Sequence, residues 1–234
     1  CKIVYTVHNL SPHERRYPLL DRVANRVLLT VADALHVHDE AARLNLLQAG
    51  GTRGQTYVVP HASYIGAYPD RCTKQEARTR LGLAANTFVY LFLGQIRHYK
   101  GIENLVAAFG RLADNTCQLM IAGNVHDKAY TQSLARITQG STGIRTWFQY
   151  VPDSEVQYFM NACDVCVLPY REMTTSGAAI LAFSFGRPII APALGGFPRL
   201  VADGGGIVYN PVAKDGLLHA LREARNADMV GAGQ

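Results

Sequence analysis

The chain has 234 residues, with 48% apolar, 18% charged and 9% aromatic side chains. This excludes a disordered tail, a collagen-like repeat and a disulfide-dense secreted module, and leaves one or two globular domains. Twenty-three Lys and Arg against eighteen Asp and Glu give a net charge of +5. That mild excess suits an anionic small molecule, an acidic lipid surface or nucleic acid equally.

Cys1-Lys-Ile-Val-Tyr-Thr-Val7 opens directly as a strand, Ile3–Val7, as expected of a piece of a longer chain. His8 stands at its carboxyl end, where an imidazole can donate to a ligand oxygen or serve structure alone. A helix over Leu19–Thr30 carries Leu19, Leu20, Val23 and Val27 in one stripe, flanked by Arg15, Arg16, Arg22 and Arg26. It reads either as a solvated face or as a contact with an anionic membrane. The next strand, Ala34–Val37, leads from His36 to His38 on one face, and no third ligand nearby completes a metal site. A helix over Glu40–Gln48 and a strand over Thr56–Val59 follow. The stretch Val59–Pro69 is aromatic, contains proline and lacks helical period, so it divides a short first part from a longer second one.

The second part alternates helices with short apolar runs. Lys74–Leu81 is a helix introduced by capping-box spacing, Thr73 to Glu76. Strand Phe88–Leu93 then runs into Gly94-Gln95-Ile-Arg97-His-Tyr-Lys100-Gly101, before a helix over Ile102–Ala113. Glycines permit close approach, a helix start offers unpaired N–H groups, and Arg97 and Lys100 add two cations. That loop is either a phosphate site or a basic surface turn. Strand Gln118–Ala122, helix Ala129–Thr138, strand Arg145–Phe148 and helix Glu155–Ala162 follow, the last with Ser154 and Gln157 at capping-box spacing. Strand Val165–Leu168 ends in Pro169-Tyr-Arg-Glu172-Met-Thr174-Thr175-Ser176-Gly177, where three hydroxyls precede the helix Gly177–Phe185. One hydroxyl would suffice for an N-cap, so an anion cradle is the favoured reading, with Glu172 placed to accept from sugar hydroxyls. Gly186 and Pro188 end that helix, and strands Pro188–Ala191 and Gly206–Tyr209 and a helix over Lys214–Arg225 complete the pattern.

Strands apolar on both faces, alternating with helices, predict α/β architecture with Rossmann-like, doubly wound parallel sheets. Cys163 and Cys166 have C-x-x-C spacing but run from a helix end into an apolar strand, so buried thiols in a reducing cytosol are expected. No run of 18 apolar residues occurs, so no spanning helix is expected, and the protein reads as cytoplasmic or peripheral at the inner membrane face. A P-loop, a strand followed by G-x-G-x-x-G, a G-x-S-x-G elbow and a D-x-D pair are all absent from the sequence. The basic residues form no stripe interleaved with aromatics, so nucleic acid is not an expected partner.

Gly94 with Lys100-Gly101, Pro169 with Gly186-Arg-Pro188, and Gly195-Gly196-Phe-Pro198, in this order, resemble GT-B glycosyltransferases of the large retaining nucleotide-sugar family, glycosyl transferases group 1. The phrases TVHNLSPHE, GQIRHYKG, PYREMTTSG and LAFSFGRP are akin to bacterial members that build polysaccharides and glycolipids. The resemblance implies residues 1–56 as the end of an incomplete acceptor-side N-terminal domain, and 57–234 as the nucleotide-sugar-binding domain. It implies Lys100 as the diphosphate-binding lysine. The family's arginine in that loop falls on Gln95, leaving Arg97 to substitute for it. The resemblance further implies His8 near the donor sugar, Tyr150 and Val151 beside the base, and Gly195 and Gly196 near the donor pocket. The family's paired glutamates fall on Met173 and Leu181, so Glu172 is the candidate for the first and the ribose contact of the second is not carried over. The implied partners are a nucleoside diphosphate sugar as donor substrate, with no cofactor or metal, and a glycan or lipid-linked acceptor. A binding module without turnover and a sugar-nucleotide epimerase remain the alternatives.

Overall fold

The computed structural model describes residues 2–7, 17–50, 54–112, 115–173, 175–202 and 204–227. The chain divides into two compact units, Cys1–Ala62 with Glu172–Ser176, and Ser63–Arg171 with Gly177–Gln234.

The smaller unit holds three parallel strands, β1 (Val4–Thr6), β2 (Ala34–Val37) and β3 (Gln55–Val58), in the order β1-β2-β3. Helices α1 (Pro18–Val31) and α2 (Glu40–Ala49) connect them, α2 being capped by the Asp39 carboxylate, which accepts from the Ala42 N–H at 2.6 Å. Its core is small: Val7, Ala32, Leu35, Val37 and Leu46. Val4, Tyr57 and Val58 are exposed, so these outer strands are not buried on both faces as the apolar runs suggest. Strand β3 pairs with β2 over Gln55–Val58, just before the stretch Val59–Pro69. His36 and His38 lie with ring centroids 4.7 Å apart, and both rings bond the Val59 carbonyl. Among the described residues, no three His, Cys, Asp or Glu side chains gather as a metal site.

In the larger unit, α3 (Lys74–Arg80) leads into β4 (Phe88–Leu93), α4 (Ile102–Gly110), β5 (Cys117–Ala122), α5 (Lys128–Thr138), β6 (Ile144–Trp147), α6 (Asp153–Ala162), β7 (Val165–Val167), α7 (Gly177–Ser184), β8 (Ile189–Pro192), α8 (Phe197–Val201), β9 (Gly206–Tyr209) and α9 (Gly216–Asn226). The six strands are all parallel in the order β6-β5-β4-β7-β8-β9. The order reverses between β4 and β7, the position at which open α/β sheets part their loops and bind ligands. β4 and β7, central in the sheet, are almost wholly buried, as expected for parallel strands covered on both faces.

The Thr73 capping box forms, with Glu76 accepting from the Thr73 N–H at 2.8 Å. The second predicted box does not. Helix α6 starts at Asp153 after Pro152, and Gln157 instead accepts from the Arg71 N–H at 2.9 Å and donates to the Ser154 carbonyl at 3.0 Å. Packing of the chain around Arg71 against α6 takes the side chain that would have closed the box. Helix α8 has no counterpart in the sequence reading; five residues with a proline inside give too little periodicity to recognise. Cys163 and Cys166 are buried free thiols, their sulfurs 3.9 Å apart.

Candidate active site at the strand-order reversal

The site is built at the carboxyl ends of β4, β7 and β8. Gly94 leaves β4 with φ near 147°, its N–H bonded to the Ala122 carbonyl at 3.1 Å, and Ile96 N–H bonds the Asn124 carbonyl at 3.0 Å. The loop therefore continues the β4–β5 pairing beyond the strands. Gly123, at the end of β5, has the same φ, and a Cβ there would stand 1.7 Å from the Gly94 carbonyl oxygen. Only glycine fits at Gly123.

From this anchor the chain exposes Gln95, half-buries Arg97 and closes a short 3-10 turn over His98–Lys100. Gly101 then takes the left-handed conformation, and a Cβ on it would lie 2.1 Å from the Pro169 carbonyl oxygen. The loops after β4 and β7 thus meet backbone to backbone, joined by the Arg171 N–H to Tyr99 carbonyl bond at 2.8 Å.

Where they meet, the Lys100 ammonium lies 3.5 Å from the centroid of the Tyr170 ring and 5.0 Å from that of Tyr99. Burial lowers the lysine pKa from 10.5 to about 8. A cation is kept there against its desolvation cost, and a negatively charged ligand would relieve that cost. The Arg171 guanidinium turns instead toward the first turn of α4, 3.4 Å from both Glu103 and Asn104.

Tyr170 is buried and stacks edge-on against Phe197, centroids 5.6 Å apart. Phe197 follows Gly195 and Gly196 at the start of α8. The predicted glycine pair is thereby tied to Lys100 through two aromatic rings. A groove of about 580 Å³ opens beside these loops between α4 and α9, bounded by Pro169, Leu194, Tyr209 and the Arg111–Asp215 ion pair. Lys100 does not line it.

The other predicted residues are distributed differently. Tyr150 and Val151 follow β6, which β5 separates from β4, and Tyr150 is exposed. Glu172 is exposed, Thr175 half-buried and Ser176 buried, and all three are grouped with the smaller unit, while Gly177 opens α7 in the larger one. His8 and Thr174 lie outside the described residues. Sequence reasoning did not select Tyr170, Phe197 or Gly123. Tyr170 was legible as an aromatic directly after a strand end and a proline, and Gly123 as a second strand ending in glycine.

The family model of glycosyl transferases group 1 matches residues 87–226, more than half of the chain and all six strands of the larger sheet. The chain belongs to the glycosyl transferases group 1 family. It is 28% identical over 190 residues to a GDP-mannose:glycolipid 4-beta-D-mannosyltransferase of Xanthomonas campestris pv. campestris, covering 81% of this chain and 50% of that protein. It is 26% identical over 234 aligned residues to a D-inositol 3-phosphate glycosyltransferase of Corynebacterium aurimucosum, covering 91% of this chain and 55% of that one. This group 1 chain spans about half the length of the curated relatives it matches. Among solved structures it shares the fold of Anabaena HepE in complex with UDP and glucose, with TM-score 0.84, 20% identity and coverage of 99% and 64%. It also shares that of sucrose-phosphate synthase from Thermosynechococcus elongatus, with TM-score 0.81, 23% identity and coverage of 98% and 59%. The expected α/β, Rossmann-like fold of the GT-B class is thereby borne out.

Proposed function

We propose that this chain carries the donor-binding part of a glycosyltransferase that moves a sugar from a nucleoside diphosphate sugar to a glycan or lipid-linked acceptor. The observation that supports it most is the buried Lys100 ammonium at the strand-order reversal, where the loops after β4 and β7 meet. Two strand spacings, about 10 Å, separate the end of β4 from the end of β6. That span suits a nucleotide with its diphosphate at Lys100 and its base at Tyr150 and Val151.

In the transfer, the bond from the anomeric carbon to the diphosphate breaks and its electron pair stays on the leaving oxygen. The acceptor hydroxyl bonds to that carbon and gives up its proton, with the departing phosphate oxygen as receiver in a retaining, leaving-group-assisted reaction. Fixed cations that meet the developing charge lower the barrier. Lys100 and Arg97 take that part, and the proposal includes no metal or other cofactor. His8, Glu172, Thr174, Thr175, Ser176, Gly177, Gly195 and Gly196 are proposed as donor contacts on chemical grounds and by resemblance.

Calorimetric titration with UDP-, GDP- and ADP-sugars tests the reading. One of them is expected to bind, and Lys100→Ala to weaken it at least about tenfold, since a hydrogen bond to a charged group contributes about 1.5–3 kcal/mol. Silence from all three, or an unaffected variant, refutes it. A binding module without turnover is favoured by one feature, Leu181, which stands in α7 where the family resemblance places a ribose-binding glutamate. Assay of transfer against donor interconversion distinguishes that module, an epimerase and a transferase.

A membrane-peripheral location is proposed on the exposed side chains of Leu19, Leu20, Val23 and Val27 in α1, beside Arg22 and Arg26. Arg15 and Arg16 lie outside the described residues. The first relative acts, by its name, on a glycolipid. Among the described residues, no helix is long and apolar enough to cross a membrane.

A further inference from the structure

We infer that Tyr170 is a positioning residue for anion binding, its ring face holding the Lys100 ammonium at the strand-order reversal and its edge tying that cation to the Gly195–Gly196 turn through Phe197. The inference rests on the proposed diphosphate site and adds a residue to it.

The geometry is specific. The ammonium stands 3.5 Å from the Tyr170 centroid, well inside the distance at which a ring quadrupole attracts a cation. Tyr99 lies 5.0 Å away on the same cation, and the Tyr99 and Tyr170 rings meet edge to face at 6.5 Å. The Tyr170 ring is itself immobilised. It is buried and packs against the fully buried Phe197, and the Tyr170 backbone N–H bonds the Leu168 carbonyl at 2.9 Å. A lysine has four flexible bonds, and a buried aromatic face restricts where its charge can rest. An ammonium carries three donors, and those not directed at the ring face are available to oxygen acceptors. Fixing the cation before a ligand arrives reduces the ordering cost of binding.

The test uses the full 234-residue chain with Tyr170→Phe, Tyr170→Leu and Lys100→Ala, and inorganic pyrophosphate as the probe. Tyr170→Phe keeps the ring face and is expected to retain wild-type affinity. Tyr170→Leu is expected to lose about 2- to 30-fold, the range spanned by cation–π contacts. In a Lys100→Ala background, Tyr170→Leu should cost nothing further, because the partner it serves is gone. An equal loss in both backgrounds makes Tyr170 merely structural and overturns the inference, as does an unchanged affinity in Tyr170→Leu.

A ligand-free measurement separates this inference from the proposed function. The ε-methylene resonance of Lys100 should be shifted upfield by the ring current in wild type and in Tyr170→Phe, and return to an ordinary position in Tyr170→Leu. Without that shift in wild type the placement is wrong. With the shift but no pyrophosphate binding, the donor-site reading falls together with the anion role assigned to Tyr170, and only the ring-to-lysine contact survives.

Discussion

A single lysine illustrates how burial turns into function. Lys100 has a pKa near 8 because desolvation disfavours its charged form. An anion bound beside it favours the charged form, so the pKa in the complex lies above that of the free protein. Binding then takes up a proton wherever the pH exceeds about 8. Pyrophosphate titrates in the same range, so the expectation concerns the affinity relative to Lys100→Arg: this ratio should be flat below about pH 7 and fall by up to tenfold per unit above about pH 8, until the pKa of the complex is reached. Lys100→Arg keeps a charge that does not titrate in this range, so its profile records the ionisation of the ligand alone and serves as the reference. Calorimetry in two buffers of different ionisation enthalpy measures the net proton exchange; the same exchange at pH 8.5 in wild type and in Lys100→Arg would contradict it. The lysine itself was legible in the sequence, since a basic residue before a glycine and a helix start is a local signal. Its burial was not, because Tyr99 and Pro169–Tyr170 come together only when two loops some 70 residues apart pack on each other.

Elements show the same division between local and tertiary information. Strands β4, β5 and β7 were read within a residue at either end, since their apolar runs are bounded by turn residues. The sequence Lys74-Gln-Glu-Ala-Arg-Thr-Arg80 is almost entirely polar, yet α3 is pinned to the sheet by charge. Asp164, at the entry to β7, accepts from Lys74 Nζ at 2.5 Å, Arg78 Nη2 at 2.8 Å and the Val89 N–H at 2.7 Å. Arg78 is almost fully buried and also donates to the Ala85 and Ala162 carbonyls. One carboxylate thus joins α3, β4 and the α6–β7 turn. Asp164→Ala leaves the Arg78 charge buried without its ion partner, and breaking such a pair costs about 3–5 kcal/mol. Urea denaturation should show the unfolding free energy falling by that amount, as a lower midpoint with little change in slope; a loss under about 1 kcal/mol would mean that water replaces the carboxylate. No periodicity argument finds this cluster, because Asp164 stands 75 to 90 residues from its partners and meets them through the fold.

At the scale of the whole molecule, alternation of strand and helix is enough to predict parallel sheets, but not the order β6-β5-β4-β7-β8-β9. The reversal brings the β4 and β7 loops side by side, which is why two loops singled out separately share one end of the sheet. The smaller unit poses the opposite problem: its core is slight, and α1 displays Leu19 and Leu20 at 75% and 67% exposure. Such a stripe beside Arg22 and Arg26 either contacts another part of a longer protein or lies on lipid, and the two differ in their dependence on charge. A lipid surface draws on each nearby arginine by about 1 kcal/mol when anionic lipid is present. The chain should therefore co-sediment with phosphatidylglycerol-containing vesicles and not with phosphatidylcholine alone. Arg22→Glu with Arg26→Glu should reduce this at least about tenfold, and raising salt from 0.1 to 1 M should do likewise as screening shortens to about 3 Å. Leu19→Ser with Leu20→Ser should weaken the binding that remains in salt, since that part is apolar burial. Equal sedimentation with both vesicle types, insensitive to the arginines, would remove the anionic-surface reading, and no sedimentation with either would assign the stripe to a protein contact.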